Sequence, residues 1–250
     1  MYDAHVHYHD KAFDRDREEI LKAVKAAGID LICEAGEDIG GSLAVVRMAE
    51  RYGGAGYPEI RVSVGLHPLY IEKAGAEWQE RLKELLKCPA VTAIGECGLD
   101  YRGIKDEGIR QRQREVFEAQ LRLCEEYGLP AVVHSVDAAA DTLKILKAHS
   151  KVSGLLHGFA YSAEMAEQFA ALGWKIGINA LVLRPGAKKI KEVAAVVPAA
   201  SVRLETDAPY MPLIKGSRND SLNIPAIIEA VNSIRKEAGA EPICQEQASL

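Results

Sequence analysis

His5 and His7 stand one residue apart in Asp3-Ala4-His5-Val6-His7, close to the start of the chain. In an extended strand, residues i and i+2 share a face, so both imidazoles can point the same way. Alone, the pair reads equally well as a surface turn. Four further groups follow short apolar runs: Glu96 in Ala93-Ile94-Gly95-Glu96, His134 after Ala131-Val132-Val133, His157 after Leu155-Leu156, and Asp207 after Val202-Arg203-Leu204-Glu205-Thr206. Any one of these could be a satisfied structural group. Crowded together in a water-poor pocket, each would cost on the order of several kcal/mol unless paired. Divalent cations remove that cost by taking imidazole nitrogens and carboxylate oxygens as ligands. Four histidines and two carboxylates can hold two ions roughly 3.5–4 Å apart, with one carboxylate bridging. The mixed donor set suits Zn²⁺ or Mn²⁺, and Mg²⁺ less well. A site of this kind lowers the pKa of bound water from about 15.7 towards about 7, which is the chemistry of hydrolysis.

Such residues need elements that deliver them to one place. Short β-rich segments alternate with helical ones along the whole chain. The strands are expected at 2–7, 30–35, 60–66, 91–97, 130–134, 153–157, 175–179 and 201–206. The clearest helix is expected over 112–127, where Val116, Phe117, Gln120, Leu121, Cys124 and Tyr127 recur at helical spacing and Gly128 supplies the stop. A second runs over 18–27 and is stopped by Gly28. Eight alternating units predict a parallel sheet closed into a (β/α)8 TIM barrel, and no linker or low-complexity tract divides the chain, so a single domain is expected. An open doubly wound sheet is the rival, but no glycine-rich phosphate loop follows the first strand. In a barrel, the six polar residues all fall at the C-terminal strand ends, where barrel active sites lie.

Composition narrows the classes further. A chain of 250 residues can bury a large core without a disulfide or metal staple. Its net charge of -5 argues against strong nonspecific attraction to nucleic acid, although metals or a local patch can supply positive charge. Arg102, Lys105, Arg110, Arg112 and Arg114 form such a cluster, which reads more readily as a solvated helix face. With 6% aromatic residues there is no evident stacking platform for single strands. Cys33, Cys88, Cys97, Cys124 and Cys244 are odd in number and scattered, the pattern of reduced thiols. No secretory signal is read at the N-terminus and no run approaches the roughly 20 apolar residues of a membrane span, so a cytoplasmic location is expected.

Several blocks resemble the TatD family of metal-dependent hydrolases, a branch of the amidohydrolase-like barrels. They are Asp3-Ala4-His5-Val6-His7, Gly65-Leu66-His67-Pro68, Ile94 through Tyr101, residues 129–137, Leu156-His157-Gly158-Phe159 and Leu204-Glu205-Thr206-Asp207-Ala208-Pro209-Tyr210. Arg218-Asn219 followed by Asn223-Ile224-Pro225 matches more loosely. The resemblance covers nearly the whole chain. It implies that His5, His7 and Asp207 hold one metal, His134 and His157 a second, and that Glu96 bridges them. It implies a nuclease or related phosphodiesterase, often one removing nucleotides from the 3′ end of DNA, with DNA or a small phosphoester as substrate. Asp207 would orient the attacking water and accept its proton. His67 matches a position near the phosphate, though it also reads as a turn residue before Pro68. Phe159 matches an aromatic bordering the site, though packing is the plainer reading.

Departures from the family pattern concern the substrate more than the ligands. Val136 stands where many members carry Arg, and Gly158 where Cys is usual. Glu34-Ala35-Gly36 lacks a small polar signature, Ser221 replaces a proline, and the chain ends at Leu250 before a familiar Asn-Ala-containing helix. Two other readings therefore stay open. The same ligands could attack an aminoacyl ester, a lactone or an amide, or the barrel could bind metal without catalysis.

Overall fold

A computed structural model describes residues 1–244; the stretch ending at Leu250, on which the expectation of a missing last helix falls, lies outside the described residues. Eight parallel strands run in sequence order: β1 (Tyr2–Val6), β2 (Leu31–Ala35), β3 (Glu59–Val64), β4 (Val91–Asp100), β5 (Ala131–Val136), β6 (Gly154–Leu156), β7 (Lys175–Ile178) and β8 (Val202–Leu204). Between β8 and β1 a single bridge, Val6 to Ala208, replaces a full ladder. Two backbone bonds reinforce it, from His7 N to Ala208 O at 2.7 Å and from Asp207 N to His5 O at 3.0 Å. The seam that closes the barrel is thus also where His5, His7 and Asp207 meet.

Eight α-helices among the described residues cover the outside: α1 (Arg17–Ala26), α2 (Ile39–Tyr52), α3 (Trp78–Leu85), α4 (Glu107–Tyr127), α5 (Ala139–Ala148), α6 (Ala163–Ala171), α7 (Lys188–Val196) and α8 (Ile224–Glu237). Their apolar stripes pack on strand residues such as Ile32, Val62, Ile94, Val133, Leu156 and Ile176 in one continuous core. This is the (β/α)8 barrel that the alternating pattern predicts. The helix expected over 112–127 starts earlier, because Asp106 accepts from the backbone N–H groups of Gly108 and Ile109 and caps a helix beginning at Glu107. It ends as expected, with Gly128 left-handed at φ 66°.

The larger difference is in β4. It continues three residues past Cys97, to Asp100, pairing with β5 as far as Val136. Gly98 makes that possible. A Cβ there would lie 2.0 Å from the carbonyl oxygen of His134, so only glycine lets the two strands approach. The extension carries Asp100 to the mouth of the barrel beside His134.

Candidate metal centre

The six groups converge. His5 is in β1 and His7 directly follows it; Glu96 lies within β4, His134 within β5, and His157 and Asp207 just beyond β6 and β8. His5 Nε2 and His7 Nε2 are 3.0 Å apart, and Asp207 Oδ1 lies 3.8 Å and 3.5 Å from them. On the other side, His134 Nδ1 and His157 Nε2 are 3.2 Å apart. Glu96 spans the two groups. Its Oε2 is 3.5 Å from His5 and 3.6 Å from His7, while Oε1 is 3.1 Å from His134 and 2.7 Å from His157.

These spacings fit metal ligands. Zinc bonds of 2.0–2.1 Å place neighbouring tetrahedral ligands about 3.4 Å apart, and most donor pairs above fall near that edge. The outer hydrogen bonds point the same way. His7 Nδ1 donates to the carbonyl of Ala35 at 2.9 Å, and His134 Nε2 donates to Asp100 Oδ2 at 3.1 Å. With those protons held outside, the inward nitrogens, His7 Nε2 and His134 Nδ1, offer lone pairs to an ion.

Without an ion, two of the rings hold protons more tightly than usual. Burial lowers His7 and His134, but contacts with Asp207, Glu96 and Asp100 outweigh it and raise them to about 10 and about 9. Burial dominates at His5, which falls to about 4. Burial would raise Glu96 too, yet the charges of His157 and His67 and the hydrogen bonds from His134 and His157 hold it well below the usual carboxylate range.

His67 behaves differently from the other rings. The backbone N–H of Leu69 donates to its Nδ1 at 3.1 Å, which leaves the proton on Nε2, 3.4 Å from Glu96 Oε1. It is a donor at the cavity wall rather than a lone pair aimed at an ion. The cavity has a volume of about 390 Å³ and is lined by His67, Tyr70, Arg102, Val136, Tyr210 and Glu37 beside the cluster. Phe159 is not among its lining residues. It is buried in the core, its ring against Tyr161 and Phe169, so the expectation of a substrate-bordering aromatic is corrected to packing. Its backbone N–H donates to Gly177 O at 3.3 Å, which turns the ring towards Phe169 of α6.

Several contributors escaped the sequence reading. Asp3 is fully buried and accepts from Thr206 N at 2.9 Å, Thr206 Oγ1 at 2.6 Å and Ser221 Oγ at 2.7 Å. It fastens the turn in which Asp207 adopts φ 60°, a left-handed backbone that costs a non-glycine residue energy unless its surroundings hold it. Ser221, the departure from proline, supplies one of those donors. Glu205 is buried, its carboxyl pushed well up by burial, and its Oε1 accepts from Gly158 N, the residue after His157. Beyond His7 lies a further cluster: His9 Nδ1 is 2.8 Å from Glu34 Oε1 and His9 Nε2 is 2.9 Å from Glu37 Oε2. A third histidine at i+4 of His5, with Glu34 in β2 and Glu37 just after it, was the available signal. Of the arginine cluster, only Arg102 lines the cavity, and it pairs with Asp100. Arg114 is taken up by Glu107 and Asp141, as a solvated helix face would have it.

The family of TatD related DNases matches residues 2–246. The chain belongs to this family. An Escherichia coli relative, the uncharacterized metal-dependent hydrolase YjjV, is 34% identical over 244 residues, covering 96% of this chain and 92% of its own. The crystal structure of YjjV superposes with a TM-score of 0.86 at 31% identity, covering 95% of this chain and 93% of that one. A Klebsiella pneumoniae relative named 3′-5′ ssDNA/RNA exonuclease TatD is 33% identical over 251 residues, covering 95% and 91%. This TatD-family chain is a metal-dependent hydrolase. Among the described residues, no helix is long and apolar enough to cross a membrane.

Proposed function

We propose that the chain is a phosphodiesterase that removes nucleotides from the 3′ end of single-stranded nucleic acid. In this reading two divalent ions, Zn²⁺, Mn²⁺ or Mg²⁺, are held by His5, His7, Asp207, His134 and His157, with Glu96 shared. The observation that carries it is Glu96, whose two oxygens face separate histidine pairs within one cavity. The name of the Klebsiella relative supports the substrate class.

When bound, the ion pair supplies an acidified water and positive charge opposite the phosphate oxygens. The chain's own residues do the rest. Asp207, fixed by its left-handed turn, orients the attacking water and takes its proton. His67, with its proton on Nε2, donates to a non-bridging phosphate oxygen at the cavity wall. Asp100 holds the His134 ring in the tautomer that leaves Nδ1 facing inward. Tyr70 and Tyr210 line the cavity.

The test is hydrolysis of 5′-labelled single-stranded DNA by purified Asp207→Asn and Glu96→Gln proteins, with circular dichroism to check the fold. Each variant is expected to lose about 100-fold or more in rate. Full activity in either would overturn these roles. Aminoacyl esters and lactones, assayed side by side, separate the other chemistry: turnover of an ester with no attack on DNA would move the site to that reaction.

A further inference from the structure

Glu37 is an acidic residue in a cavity where the reading above places a polyanion. It lines the same cavity as Glu96 and Asp207. The chain fixes it there from behind. Both ring nitrogens of His9 contact carboxylates, Nδ1 that of Glu34 at 2.8 Å and Nε2 that of Glu37 at 2.9 Å, so the ring ties Glu37 to β2. Glu37 Oε2 takes the His9 bond, and the nearest ring nitrogen to Oε1 is His7 Nδ1 at 3.6 Å, which already donates to Ala35. Oε1 therefore keeps unused lone pairs at the cavity wall.

Its position supplies the scale. The His7 ring has its Nε2 edge in the ligand cluster and its Nδ1 edge beside Glu37. One imidazole plus a 3.6 Å gap separates the ligand cluster from this carboxylate acceptor in the same cavity. A hydroxyl arriving there finds an acceptor. A phosphate arriving there meets a like charge in a partly buried site and is disfavoured.

We propose that Glu37 reads the chain end: its carboxylate accepts a hydrogen bond from a free terminal 3′-hydroxyl and repels a phosphate at that place, confining cleavage to the last nucleotide. The inference rests on the nucleic-acid reading of the site. It explains how a cavity that lacks arginine at Val136 selects its substrate, by excluding the wrong anion rather than gripping every phosphate.

The test uses the metal-loaded full chain and two single-stranded oligonucleotides of one sequence, ending in a 3′-hydroxyl or a 3′-phosphate. Bis(p-nitrophenyl) phosphate, which has no sugar, serves as a third substrate. The wild-type protein should favour the hydroxyl end by about 100-fold in kcat/KM. Glu37→Gln should narrow that ratio to about tenfold or less, chiefly by gaining rate on the 3′-phosphate end, a gain that a damaged fold cannot produce. Equal rates on both ends in the wild-type protein, or cleavage of circular single strands, would overturn the proposal. So would an undiminished preference in Glu37→Gln. Turnover of bis(p-nitrophenyl) phosphate with no attack on either oligonucleotide removes the nucleic-acid reading and this inference together, whereas cleavage without end preference removes the inference alone.

Discussion

Replacing Asp3 by alanine isolates the connection between folding and the candidate site. Three buried donors, Thr206 N, Thr206 Oγ1 and Ser221 Oγ, would lose an acceptor at 2.6–2.9 Å. Each orphaned donor costs about 1–3 kcal/mol. Part of that is offset, because burial disfavours the charged carboxylate strongly enough to raise its pKa to about 7, and alanine removes that burden. A net loss of about 3 kcal/mol follows, which corresponds to a fall of about 6–12 °C in Tm for a chain of this size. Differential scanning calorimetry of metal-free Asp3→Ala measures it. Asp3→Asn keeps one acceptor oxygen without the charge and should lose less than half as much. Because the same bonds hold the Thr206–Asp207 turn, both variants should also bind Mn²⁺ or Zn²⁺ about 10–100-fold more weakly. An Asp3→Ala protein melting within about 2 °C of wild type would refute the bookkeeping. An unchanged metal affinity would refute the link from Asp3 to Asp207.

Chelation should abolish hydrolysis and lower Tm, since each ion present at a hundredfold excess over its Kd stabilises the folded chain by about 2.7 kcal/mol; restoration by Zn²⁺, Mn²⁺ or Mg²⁺ ranks the metals. Affinity should rise between pH 6 and pH 9. The folded metal-free rings of His7 and His134 lie above the ordinary imidazole value, at about 10 and about 9, so at lower pH an incoming ion must displace their protons. Isothermal titration calorimetry that gives a pH-independent affinity would contradict this. Alkylation at pH 8 should label the exposed Cys244 quickly and leave Cys97 and Cys124 intact until the chain unfolds. Burial pushes the Cys124 thiol up to about 12, leaving about one thiolate in ten thousand at that pH. Peptide mass mapping after brief iodoacetamide treatment reads the order.

Strand and helix alternation, the single domain and the placement of His5, His7, His134, His157 and Asp207 at or near strand ends were legible from residue order, because burial on a two-residue or 3.6-residue period is a local property, whereas Glu96, expected to end its strand, lies four residues inside β4. So was the identity of those residues as metal-type donors. Which nitrogen of each ring faces inward was not, since it depends on Ala35 and Asp100, partners brought in by neighbouring strands. The length of β4 depended on Gly98 meeting the backbone of His134 across the ladder, and no single-strand pattern contains that contact. Phe159 lay in a matching motif yet packs in the core, because the exit direction of the chain after β6 is set by α6 and β7. The pairing of His9 with Glu34 and Glu37 joins the ends of two adjacent strands, as the Asp3 network joins β1 to the segments after β8. Residue types and spacing determined what chemistry could occur. Closure of the barrel, through contacts between residues up to 218 positions apart, decided which groups share one cavity and how each is oriented.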